Sequence, residues 1–287
     1  MKKSKIGLFL VLMLFIGVCG LLYPSVSQYW NSKTQTRAVE NYQEILNSLK
    51  PEDYDAYFEE ADAYNAKLSA LKNPLLEYHQ VDGYHGILNI NGNGIMGYVS
   101  IQKLGVEIPV YHGVSAEVLN IACGHLEGTS LPVGGESTHC VFSAHRGLPH
   151  AKLFTDLDKM EIGDTFQLTV LNRTLTYQVD QIKIVRPDEI DDVQIIEGKD
   201  LCTLLTCTPY GINSHRLLVR GTRIENAPPA LYVTSNAYRI DSLVATPMVA
   251  APILLVLLIV LMVKYRDTGS KPLISKEEEE WLKEEWE

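Results

Sequence analysis

Cysteine is scarce in this 287-residue chain, and the five present do not form a disulfide framework. Cys19 lies in an apolar leader and Cys207 ends an apolar run, which leaves Cys123, Cys140 and Cys202, an odd remainder that reads as buried apolar thiols. Neither Cys123-Gly124-His125 nor His139-Cys140 belongs to a paired short-spacing set of the kind that holds structural zinc, so no metal is expected. The acidic residues show no loop with calcium-ligand spacing, and no internal repeat is visible. Excess positive charge is also missing. The formal net charge is -10, which argues against a nucleic-acid partner. Much of that charge is local, because Lys276 to Glu287 carries seven carboxylates and two lysines.

Long apolar runs, by contrast, stand at both ends. Ile6 to Tyr23 follows Lys2, Lys3 and Lys5, the pattern of a signal peptide or signal-anchor helix, with Ser25-Val26-Ser27 as a small-residue site where cleavage is conceivable. Val244 to Val263 is 20 residues without a charge, enough for a helix of roughly 30 Å, about one hydrocarbon core. Pro247 and Pro252 bend such a helix without excluding it. Basic residues precede the first run and follow the second, at Lys264, Arg266 and Lys271. Both termini are therefore expected in the cytoplasm if the leader is retained, with the intervening chain outside the cell.

Between these runs the texture changes twice. Gln28 to Leu71 is polar and helix-prone, with one apolar stripe at Tyr42, Ile45, Leu46 and Leu49 and another at Tyr54, Tyr57, Phe58, Ala61, Tyr64 and Leu68. Pro51 suits the first turn of the second helix, so a helical hairpin is expected. From Tyr84 the chain breaks into short strand-like runs over 86–90, 97–101, 106–110, 138–144, 165–171, 174–185, 201–207 and 215–222. Asn172-Arg173 reads as a hairpin turn, and short helices are expected near 115–122 and 151–159. Many closely spaced strands with few helices predict an antiparallel or mixed β-barrel. The expected boundaries are a leader at 1–27, a helical region at 28–80, a barrel at 81–226, a linker at 227–243, a membrane helix at 244–263 and a cytoplasmic acidic tail at 264–287.

The chemistry concentrates in three segments. Thr203-Leu204-Leu205-Thr206-Cys207 is a strand that ends in a thiol; Pro209, Gly211 and Asn213 then turn the chain into the basic strand starting His215-Arg216. Val141-Phe142-Ser143-Ala144-His145-Arg146-Gly147 is a second apolar strand ending in an imidazole. A thiol attacks as thiolate, and ordinary values of about 8.5 for cysteine and 6.5 for histidine leave little thiolate at neutral pH. A nearby imidazolium favours the thiolate and can then protonate a departing amine. A guanidinium completes the set by stabilising the oxyanion of a tetrahedral intermediate. The pattern is that of a thiol acyl-transfer enzyme. Cys202, five residues before Cys207, falls on the opposite face of an unbroken strand and is poorly placed as a resolving thiol.

The Thr-Leu-Leu-Thr-Cys run, the Ser-Ala-His-Arg-Gly element and Thr208-Pro209-Tyr210-Gly211-Ile212-Asn213-Ser214-His215-Arg216 together resemble the sortase family, transpeptidases of Gram-positive cell surfaces, and among its branches the pilus-building class C. The match covers roughly residues 84 to 224. It implies an eight-stranded sortase-type β-barrel, with Cys207 as nucleophile, His145 as general acid and base, and Arg216 as the oxyanion and substrate donor, Arg220 being its rival on the same strand. Ser143, Ala144, Leu205 and Thr206 are then expected to line the substrate groove. The implied partner is an exported protein with a C-terminal Leu-Pro-X-Thr-Gly-like signal, cut between Thr and Gly and passed as a thioacyl chain to a pilin lysine. No cofactor is required, because one amide replaces another. The rival readings are attachment to peptidoglycan cross-bridges, a hydrolytic cysteine protease and a non-enzymatic pilus scaffold. Class C members commonly carry an Asp-Pro-aromatic lid, whereas Asn73-Pro74-Leu75-Leu76-Glu77-Tyr78-His79 lacks that triplet, so an open cleft is expected, the alternative being cover by Tyr78 or His79.

Overall fold

The structure, a computed structural model, describes residues 2–226, 251–256 and 259–260. The expected linker, most of the expected membrane helix and the acidic tail lie outside the described residues. Residues 251–256 and 259–260 are helical.

Helix α1 runs from Lys2 to Ser48 without interruption at Pro24, so the apolar leader and the first arm of the hairpin are one helix. Its residues from Leu12 onward form a segment long and apolar enough to cross a membrane, with Phe15, Leu21, Val26 and Trp30 exposed. The break before α2, Pro51–Ser69, is set locally: the Asp53 carboxylate accepts from the Lys50 backbone N–H at 3.0 Å, and Pro51 occupies the first helical turn, where its missing N–H costs nothing. The described residues from Val26 to Asn226 form one compact unit, so the second part of α1 and all of α2 belong with the strands. Tyr42 links three elements: its hydroxyl donates to the Met96 carbonyl and accepts from the Leu171 N–H, both at 2.9 Å. On α2, the Asn65 amide makes reciprocal hydrogen bonds with the Leu131 backbone, and the Arg173 guanidinium lies 3.6 Å from the centre of the Phe58 ring.

Eight strands follow: β1 Ile95–Ile101, β2 Val106–His112, β3 Cys123–His125, β4 Thr138–Ser143, β5 Thr165–Val170, β6 Arg173–Val185, β7 Asp200–Thr208 and β8 His215–Ile224. They close into a barrel in the order β1-β2-β3-β4-β7-β8-β6-β5, in which β2–β3 and β4–β7 are parallel and the other pairs antiparallel. Closure removes every edge strand, and the interior is filled by Val99, Ile108, Phe142, Leu168, Tyr177 and Leu204. The expected eight-stranded mixed barrel is what the structure has.

Four local expectations are corrected. Residues 86–90 are turns, not a strand: Leu88 is held at φ +61°, and the Ile87 carbonyl accepts from His112 Nε2 at 2.8 Å. The three-residue β3 was not anticipated. The β5–β6 turn is Leu171-Asn172, one residue earlier than expected, with Leu171 at φ +50° and its N–H taken by Tyr42. Of the two short helices, α4 forms at Ala116–Leu119, capped by Ser115, after the four-residue α3 at Pro74–Glu77. Residues 151–159, however, carry only a 3₁₀ turn at Leu157–Lys159 because Leu153 sits at φ +39°.

Candidate active site

Strand register brings the three sequence candidates together. β4 and β7 run parallel from Thr138 opposite Asp200 to Ser143 opposite Leu205, and the pairing continues as the Ala144 N–H donates to the Leu205 carbonyl at 3.1 Å. β4 ends at Ser143, two residues before His145, and β7 runs on through Cys207 to Thr208, so His145 and Cys207 lie at the same end of this parallel pair. In the antiparallel β7–β8 pair, Cys207 lies directly opposite Arg216. Directly opposed residues project to the same side of a sheet. Sulfur and guanidinium thus form one row across β7 and β8, His145 follows the neighbouring end of β4, and each of the three residues is half-buried.

The period of two along β7 decides which side that row faces. Cys202 and Leu204 point into the barrel core, and Leu205 and Cys207 point outward. The outward face has an apolar floor in which Val141, Val185, Val193 and Leu218 are buried and Leu126, Ile190 and Leu205 pack against them. Val193 and Ile190 belong to the β6–β7 connection, which is tied down on this side. Gln181 and Lys183 of β6 donate to Asp192 Oδ1 at 2.8 and 2.6 Å. His139 holds the same connection from below. Its Nδ1 lies 2.7 Å from the Gln194 carbonyl, which can only accept, so Nε2 is the ring's acceptor for the Thr203 hydroxyl at 2.7 Å.

Two expected groove residues need correction. Ala144 and Thr206 are fully buried, and the Thr206 hydroxyl donates to the Ala144 carbonyl at 2.8 Å, a bond that joins the strand ends and faces no substrate. Ser143 and Leu205 are the two on the outward face. The arginines also separate. Arg220 is engaged by Asp180 through two hydrogen bonds of 2.9 and 3.0 Å, and Thr222 donates to the same carboxylate. Among the described residues, Arg216 hydrogen-bonds only to the carbonyls of Asn213 and His215, through Nη1. A guanidinium held by neutral acceptors beside the thiol keeps donors for a developing oxyanion.

The groove is not open along its whole length, as the missing lid triplet had suggested. Leu75 packs on the apolar floor of Val141, Val185, Val193 and Leu218, and Leu218 and its partner Leu205 lie two residue pairs below Cys207 and Arg216 on the same face. Gly128 makes room for this segment: at φ +84°, a Cβ there would fall 2.8 Å from Leu75 Cα and 3.2 Å from the Tyr78 ring. Tyr78 packs against the main core instead of the groove, and His79 lies beside Asp82, His85 and Glu127. Leu75, His139 and the Val193 wall escaped sequence reasoning. Leu75 had a faint signal, as an apolar residue following proline between two helical stretches; His139 had none beyond its place on an apolar strand.

Burial sets the electrostatics around the row. His139 is pushed down to about 4, and so is His125, whose Nε2 lies 2.8 Å from the Ser130 carbonyl and whose Nδ1 lies 2.9 Å from the Tyr84 hydroxyl. Both imidazoles are neutral at physiological pH, which removes them as competitors for the acid role. Burial raises Cys123 and Cys202 well above the usual thiol range, so neither supplies thiolate. Among the described residues no group of three or more His, Cys, Asp or Glu is arranged to hold a metal ion.

A family model described as a sortase domain matches residues 99–224. The chain is similar to sortase D of Bacillus subtilis (strain 168), 28% identical over 131 residues, which is 45% of this chain and 63% of that protein. It is also similar to the crystal structure of sortase C1 from Streptococcus agalactiae, 46% identical with a TM-score of 0.61, covering 67% of this chain and all of that one. The sortase C structure of Streptococcus pneumoniae, described as giving insight into catalysis and pilin substrate specificity, is 45% identical with a TM-score of 0.58, and covers 68% of this chain and 100% of that one.

Proposed function

This chain belongs to the sortase family, on the class C side, and from that premise we propose that it is a membrane-anchored enzyme that polymerises pilins. The coarser activity, that of a sortase transpeptidase, follows from the family. Cys207 attacks the carbonyl carbon of threonine in a Leu-Pro-X-Thr-Gly-like signal. The tetrahedral oxyanion is met by Arg216, His145 gives a proton to the departing glycine amine, and a thioacyl enzyme remains. A lysine amine of a second pilin then attacks the thioester, gives up a proton to His145 and expels the Cys207 thiolate, leaving an isopeptide bond. Ser143 and Leu205, with the floor of Val193 and Leu218, are proposed to seat the apolar part of the signal.

The observation that carries this reading is the row formed by Cys207 and Arg216 across β7 and β8, with His145 just beyond the neighbouring end of β4. The pilin acceptor is supported by the likeness to the pneumococcal enzyme, whose structure is described in terms of pilin specificity. The long apolar segment of α1 supports the anchor, and the division of the chain at Ser25 lies close to the proposed boundary between leader and helical region at residue 27. The test is to incubate the full chain with a pilin bearing the signal and to map cross-links by mass spectrometry. Threonine-to-lysine isopeptide products are expected. Threonine joined to a cross-bridge amine would replace pilin assembly with wall attachment, and free threonine carboxylates alone would make the chain a protease.

A further inference from the structure

The element that carries His145 contains two residues the proposed reaction does not use, Arg146 and Gly147. Arg146 is unusual for a charged residue next to a reactive group. Its side chain is only 10% exposed, it pairs with Asp158, and its Nε is buried with no hydrogen-bond partner among the described residues. The guanidinium carbon lies 5.9 Å from the centre of the Tyr210 ring, within cation–π range. Gly147 touches the same ring. At φ +77° its backbone is in the region glycine favours, and a Cβ there would fall 2.7 Å from Cε2 and 3.0 Å from Cζ of Tyr210.

Tyr210 lies three residues after Cys207, in the turn that leads back to Arg216, and the residue as a whole is 62% exposed. Beneath it, the His145 segment is fastened to the following loop: Phe154 N–H donates to the His145 carbonyl at 3.3 Å, and Gly147 N–H donates to the Thr155 hydroxyl at 3.1 Å. The turn after the thiol and the loop after the imidazole therefore meet through one aromatic ring, with a buried guanidinium on one side and a glycine cleared for it. A regular strand pair would fix the spacing of His145 and Cys207 by backbone hydrogen bonds. Here β4 ends at Ser143, two residues before His145, while β7 runs past Cys207 to Thr208, and the ring contact takes over where the ladder stops.

We propose that Arg146, Gly147 and Tyr210 form a clasp between the two loops, and that Tyr210 is a positioning residue that keeps His145 within reach of the Cys207 sulfur. The inference rests on the reading of these two as the reacting pair. Because the ring and not its hydroxyl makes the contact, Y210F should behave like the parent and Y210A should not. The full chain is assayed for cleavage of a fluorogenic Leu-Pro-X-Thr-Gly peptide, and separately for the rate of Cys207 alkylation by iodoacetamide, which needs no peptide.

Displacing a reacting group by about an ångström costs up to about a hundredfold. Y210A is expected to lower kcat about tenfold to a hundredfold with KM changed less than about twofold, to slow alkylation in step, and to leave the thermal midpoint in place, since Tyr210 is exposed. Y210F is expected to keep at least about half of both rates. The clasp is overturned if Y210A matches the parent in both assays, if Y210F is as impaired as Y210A, or if only KM rises. A parent chain no faster on peptide than C207A would strike down the transpeptidase reading instead, and the alkylation rates would still decide the clasp.

Discussion

Arg216 and Arg220 illustrate how much one residue's surroundings add to its identity. Both lie on the outward face of β8, four positions apart, and spacing alone does not distinguish them. Register does: Arg216 is opposite Cys207, and Arg220 is opposite Thr203 and locked to Asp180. R216A is therefore expected to lower kcat by about a hundredfold to a thousandfold, the cost of one oxyanion donor, with the thermal midpoint nearly unchanged. R220A should do the reverse, destabilising the fold by about 1 to 3 kcal/mol because Asp180 loses its charged partner while activity per folded molecule persists. Steady-state kinetics beside thermal melts separate the two, and equal kinetic losses would reject the assignment. Cys207 and His145 stand out in the sequence because each ends an apolar run with a reactive group. Asp180, which sorts the arginines, lies some 40 residues from Arg220 in sequence and only the folded sheet brings it there.

At the scale of elements, α1 and α2 are part of the packed catalytic unit. Tyr42, Phe58, Ala61, Tyr64 and Leu68 are buried with the barrel's own residues, so removing residues 28–80 would strip the core as well as the groove. A point change isolates the cover. L75A should raise the rate at which a bulky thiol reagent labels Cys207, by severalfold, because the side chain on the groove floor is shortened while its neighbours stay. An unchanged rate would mean that Leu75 does not obstruct approach to the sulfur. The helical hairpin and most strands were legible from periodicity and from Pro51. Residues 86–90 and 151–159 misled for a common reason: Leu88 and Leu153 adopt positive φ, which side-chain patterning does not encode and which surrounding contacts impose. The short β3 is stabilised by neighbours on both sides, and three residues carry no period of their own.

For the whole molecule, the buried imidazoles make stability depend on pH in a definite direction. His125 and His139 sit near 4 when folded, against about 6.5 when unfolded, so the unfolded chain binds more protons between those values. Their contribution is complete above about pH 6.5 and is lost as pH falls toward 4, on the order of 3 kcal/mol for each. Carboxylates such as Asp192, held low chiefly by its hydrogen bond from Lys183, titrate below that window. Thermal melts of the full chain should therefore fall steadily from pH 6.5 to 4, and H139Q should flatten part of the slope; a flat profile would contradict neutral buried rings. The amino-acid order by itself determined the class of barrel and the apolar ends, and singled out a thiol, an imidazole and a guanidinium, because these are written in local period and in single reactive groups. Only the closed sheet decided that Cys207 and Arg216 stand opposite each other, that Ala144 and Thr206 are buried, that Leu75 lies on the groove floor and that Tyr210 meets Gly147. Those facts depend on strand register and on contacts between distant segments, where a shift of one residue would turn every side chain to the other face.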